Sequence, residues 1–94
     1  MKGTAPYFTI QNSTAENSDG GCEGRVLFED HANVTLAQIE GSHSGSSDDT
    51  KGQFKISTHN GSSLQTAITV LDDQHTLFSG NVSLVSDTAF LKFG

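Results

Sequence analysis

This 94-residue chain is short of cations, of cysteine and of long apolar runs, and each shortage excludes something. Only Lys2, Arg25, Lys51, Lys55 and Lys92 are basic against eleven Asp and Glu, giving a formal net charge of −6. Such a balance offers no electrostatic footprint to phosphate backbones or anionic lipid, so neither nucleic acid nor a membrane is an expected partner. Cys22 stands alone, which rules out an intrachain disulfide framework and leaves the redox compartment open; it reads as a small turn or strand filler. No stretch approaches eighteen consecutive apolar residues, and no charged region leads into an apolar run at the N-terminus. Neither a membrane helix nor a signal peptide is therefore expected.

Apolar residues are also scarce. Leu, Ile, Val and Phe supply 22 of 94 residues, just above the level at which a chain stops being able to bury a core. Twelve Ser, ten Thr and ten Gly stand against a single Pro, and no long stripe of period 3.6 is present. The class is all-β, with short antiparallel strands and hairpins joined by polar turns. One domain spans 1–94, with a core thin enough that burial between subunits is the expected route to stability.

The strongest local signal runs from Lys51 to Leu71. Phe54, Ile56 and Thr58 alternate with Gln53, Lys55 and Ser57, and Leu64, Thr66, Ile68 and Val70 alternate with Gln65, Ala67 and Thr69. Period two in β-branched and aromatic residues marks two half-buried strands, and Asn60-Gly61 between them is a hairpin signal. A two-residue loop would set Ile56 against Gln65 and Phe54 against Ala67, mismatching the apolar faces. A three-residue loop, His59-Asn60-Gly61, is expected instead, or inter-chain pairing with the same facing, setting Ile56 against Leu64 and Phe54 against Thr66.

Along the rest of the chain, Pro6 to Asn12 reads as a first strand, Glu23 to Glu29 as a second and Asn33 to Glu40 as a third. Val34 and Leu36 share a phase that Ile39 breaks, so a bulge is expected near Ala37 or Gln38. Gly41 to Thr50 is the longest and most polar loop, the expected mobile segment. Asp72 to His75 forms a turn before a short strand at Thr76 to Phe78, and Val82 to Val85 reads as another strand. Residues 1–5 lie outside the strands, with Met1-Lys2-Gly3 start-codon or appended sequence. Thr88-Ala89 echoes Thr4-Ala5 at a spacing of 84; either 87–94 opens a following unit of a modular chain, or the match over so few positions is chance.

The ordered series Gly24 to Glu29, Leu36 to Gly41, Gly52 to Thr58, Ala67 to Val70 and Gly80 to Val82 resembles the β-rich shaft modules of bacteriophage tail fibres and tailspikes. It departs from them at Gln74-His75, where a Gly is usual, and at Thr66 to Ile68, where Arg or Met is common. The resemblance implies a homotrimer, intertwined or side by side, and a structural role in the virion, extracellular, spacing or presenting a receptor-binding tip for host attachment. Its partners would be other fibre segments and a host surface glycan. Phe54, Ile56, Leu64, Ile68 and Val70 are the expected trimer core. The runner-up is a carbohydrate-binding or adhesin module using the 41–50 loop, against which stand the absence of Trp and a lone Tyr7.

Reactive chemistry is sparse. His31, His43, His59 and His75 form no HxH or HxxxH pair, so solvated turn histidines are expected, and His43 or His75 would bind an ion only if a threefold axis tripled it. Asn17-Ser18-Asp19-Gly20 and Asp48-Asp49 lack the remaining ligands of a calcium loop. Asp72-Asp73 fits turn geometry better than the paired carboxylates of a glycosidase. No G-x-S-x-G elbow is present. The expectation is a non-enzymatic protein without cofactor. Four sequons, at Asn12, Asn33, Asn60 and Asn81, are what chance gives in a chain this rich in Asn, Ser and Thr.

Overall fold

The computed structural model describes residues 2–45 and 50–85. Five strands occur among them, β1 (Cys22–Glu29), β2 (Thr35–His43), β3 (Gly52–His59), β4 (Leu64–Val70) and β5 (Thr76–Phe78), and no helix. They form one antiparallel meander in the order β1-β2-β3-β4-β5. The protein is all-β.

Three hairpin turns share one device. Asp30 Oδ1 accepts from Ala32 N–H and Val34 N–H at 2.8 and 3.1 Å, and Asn60 Oδ1 accepts from Ser62 N–H and Ser63 N–H at 2.8 and 3.0 Å. Asp73 Oδ1 likewise accepts from His75 N–H at 3.0 Å. A short side-chain acceptor mimicking a backbone carbonyl is what Asx turns supply. Each loop then reverses through one left-handed residue: Asn33, Gly61 or Gln74. Gln74, at φ 69°, takes the left-handed conformation that glycine adopts most readily.

The β3–β4 loop corrects the expected register. His59 pairs with Leu64 across the four residues Asn60 to Ser63, and Asn60 N–H donates to Ser63 O at 3.0 Å. Ile56 faces Ile68, and Phe54 faces Val70, in place of Leu64 and Thr66. A register shift absorbs Ala67 as an extra residue, so the parity error that the turn creates is repaired within the strand. One consequence is that Leu64, expected in the core set, points with Ser57 and Thr66 to the other face.

Other boundaries also differ. Pro6 to Asn12 is extended but joins no ladder; Ile10 instead packs where a side chain at Gly24 would collide with it, and Asn12 Nδ2 donates to Cys22 O at 3.3 Å. Alternation marked a segment able to lie flat, and side-chain contact rather than a ladder receives it. Val82 to Val85 forms no strand and is exposed. The bulge expected near Ala37 or Gln38 falls at Leu36, skipped between the pairs Phe28–Ala37 and Glu29–Thr35. β2 runs on through Gly41, Ser42 and His43, so the start of the expected loop is strand; 46–49 and 87–94, with the Thr88 echo, lie outside the described residues.

Packing is inverted. No hydrophobic side chain is buried among the described residues, whereas Glu40, Ser42, His43, Ser44 and Ser57 are. The chain exposes 7476 Å², against about 5,200 Å² for a compact monomer of its mass. Its radius of gyration is 16.3 Å, against about 12 Å for a compact domain of this length. Among the described residues the strands make a single sheet, with Ile10 of the segment before β1 set against it at Gly24.

Candidate functional site

Two features stand out on this sheet, an apolar face and a polar knot at one end. The face follows from register and pleat. Val26 pairs with Ile39, Ile39 with Ile56, Ile56 with Ile68 and Ile68 with Phe78, making an unbroken apolar row across all five strands. Phe54 and Val70 form part of the adjacent row, and Phe28 extends the face at its other side. Phe28, Phe54 and Phe78 remain 56, 43 and 54% exposed. Four of the five expected core residues, Phe54, Ile56, Ile68 and Val70, therefore share this face. Gly24 and Gly41 interrupt it, and Ile10, Val26, Ile39 and Phe54 line the shallow groove above them.

The opposite face carries the row Arg25, Glu40, Lys55, Thr69 and Leu77. Arg25 Nε donates to Glu40 Oε1 at 2.7 Å, and that hydrogen bond is the main cause of an Arg25 pKa above its ordinary value. Charges of opposite sign on neighbouring strands pair across the ladder, and the guanidinium offsets the burial of the Glu40 carboxylate.

The knot gathers the ends of β1 and β2. Gly20 N–H donates to His43 O and His43 N–H to Gly21 O, both at 2.9 Å, prolonging the ladder beyond Cys22. Gln53 Nε2 donates to His43 O at 3.0 Å, Ser44 Oγ to Asp72 Oδ1 at 2.6 Å and Gly45 N–H to Asp19 Oδ1 at 2.7 Å. Asp19 and Asp72 thus act as backbone and hydroxyl acceptors. Within the knot, His43 Nε2 lies 3.1 Å from Glu23 Oε1 and 3.5 Å from Glu16 Oε1. Glu23 is the extra residue of a bulge between Cys22 and Gly24, which turns its carboxylate toward the side of His43. Glu16 reaches in from the segment before β1, and a side chain at Gly21 would collide with its carboxylate.

The other histidines stay local. His59 Nδ1 accepts from Gly61 N–H at 3.0 Å, His75 Nδ1 lies 2.9 Å from Asp73 Oδ2 with its side chain 77% exposed, and His31 sits exposed in the β1–β2 turn. Cys22 is half-buried opposite Ser42. Ser42, His43 and Ser44 are buried, which withdraws them from the glycan-contacting role expected of the 41–50 loop, and Asp48-Asp49 lies outside the described residues.

The Glu16–Glu23–His43 group was not visible as a motif, because its members are 7 and 20 residues apart in sequence. The available signal was weaker: two glutamates flanking Gly20-Gly21, a pair of residues that lets a chain fold back tightly. No protein-family model, curated protein or solved structure matches the chain.

Proposed function

We propose that this chain is a non-enzymatic structural module that is completed by copies of itself, three chains closing their apolar faces around a common axis. The observation that carries the reading is the row Val26, Ile39, Ile56, Ile68, Phe78, laid across a sheet in which no hydrophobic residue is buried. Val26, Ile39, Ile56 and Ile68 are half-buried and Phe78 is exposed, and a continuous apolar row left this accessible marks an interface. A second copy of the same face is the occupant that matches it in chemistry, and three copies let each narrow sheet bury its face without leaving a fourth side open.

This is the assembly expected of a tail-fibre or tailspike shaft module in a virion, where the trimer spaces or presents a receptor-binding tip. The narrow meander, with strands of three to nine residues and tight capped turns, supports a spacer rather than a pocketed binding domain. Ile68→Asp tests the reading, because it places a charge in the middle of the proposed interface, where no partner can neutralise it. The expected result is a monomer by sedimentation velocity. A trimer with unchanged melting temperature would overturn the reading.

A further inference from the structure

We infer that Glu16, Glu23 and His43 form a binding site for a divalent transition-metal ion, of which zinc is the best match, tying the segment before β1 to the ends of β1 and β2. The ligand atoms of the three side chains all lie within 4.8 Å of one another. The separations of His43 Nε2 from the two carboxylates, 3.1 and 3.5 Å, bracket the edge of a tetrahedron, about 3.3 Å, that zinc bonds of about 2.0 Å to nitrogen and oxygen impose. One imidazole and two carboxylates make a zinc-type ligand set with charge −2, matched by the ion, and leave a fourth position for water.

Three independent features mark the group as built. The His43 side chain is 10% exposed and directs Nε2 at both glutamates, while its backbone is fixed by Gly20 and Gly21 on one side and pairs with Gly52 on the other. Glu23 Oε1 is buried and turned inward, 3.1 Å from His43 Nε2. Gly21 supplies the space that the Glu16 carboxylate occupies, and a side chain there would make that carboxylate shift. Hard cations are the poorer match, since calcium and magnesium favour all-oxygen sets.

The structural effect would fall on the N-terminal side. An ion shared by residues 16, 23 and 43 fixes the segment that carries Ile10 onto Gly24, closing one end of the apolar face. This site lies within one chain and does not depend on the trimer.

The test is calorimetric titration of the intact, chelator-treated protein with zinc chloride, followed by limited proteolysis with and without the ion. The expected result is one zinc per chain with micromolar or tighter affinity, weakened at least tenfold in Glu23→Gln and in Glu16→Gln, retained in Cys22→Ser, and accompanied by protection of residues 2–21 from cleavage. Both glutamate variants keep side-chain size, and circular dichroism verifies that they fold. Absence of binding to the folded wild type, affinity unchanged in both glutamate variants, or one ion per three chains would overturn the inference.

Discussion

At the end of the sheet where Gly21, His43, Ser44 and Asp72 meet, polar groups are buried and held by hydrogen bonds of 2.6 to 3.0 Å. Across the row from Val26 to Phe78, apolar groups are aligned and none is buried. A monomer that had to stabilise itself would reverse that arrangement, since burial of apolar area is the dominant favourable term in folding. The knot fixes the local geometry of one chain; the face is the surface that the proposed assembly would cover.

Breaking the face has the largest expected effect. Phe54 and Leu27 are almost equally exposed, at 43 and 46%, yet lie on opposite faces. Phe54→Asp is expected to abolish assembly, at roughly 3 kcal/mol or more per chain. Leu27→Asp is expected to leave assembly intact and shift chain stability by less than about 1 kcal/mol. Light scattering and chemical denaturation read both, and equal effects would erase the distinction between faces.

Gly24→Val sharpens the boundary between the regions. The new side chain collides with Ile10, so the segment before β1 must leave the sheet, at a cost of roughly 1 to 3 kcal/mol. Protease cleavage within residues 2–21 should rise while the far-ultraviolet spectrum stays β-type. Arg25→Ala leaves the Glu40 carboxylate, only 8% exposed, without its guanidinium partner, and is expected to cost about 1 to 3 kcal/mol by urea denaturation, without changing solution mass. Within the knot, Ser44→Ala removes the donor to Asp72 and is expected to cost about 1 to 2 kcal/mol by urea denaturation, again without changing solution mass.

Much of the sheet was legible in the sequence, and the misses have physical causes. Alternation located β1, β3 and β4, and the Asp72 to His75 turn was visible from its residue types. Parity arithmetic recognised that a simple loop at Asn60-Gly61 would mismatch the faces. It placed the repair in the turn, whereas the chain lengthens the turn and repairs the phase at Ala67. Turn chemistry and strand parity are separate constraints, and a bulge lets both be met. That is why Leu64 was assigned to the wrong face while Phe54, Ile56, Ile68 and Val70 were assigned together.

The segments at Pro6 to Asn12 and Val82 to Val85 show the limit of periodicity. A strand needs a partner as well as a pattern, and the pattern alone does not say whether an edge is offered. Gly41 to Ser44 was misread for the converse reason: Gly, Ser and His look like loop residues, yet here they are the buried end of β2, satisfied by neighbours distant in sequence. The Glu16–Glu23–His43 group depends on that fold-back and on the bulge at Glu23, neither of which local spacing encodes.

The most direct measurement is the mass of the wild-type chain by light scattering coupled to size exclusion, across a wide dilution series. The account predicts three times the 9.9 kDa chain mass, persisting on dilution. A well-folded 9.9 kDa monomer at every concentration would contradict it, because the row from Val26 to Phe78 would then face water in the functional state.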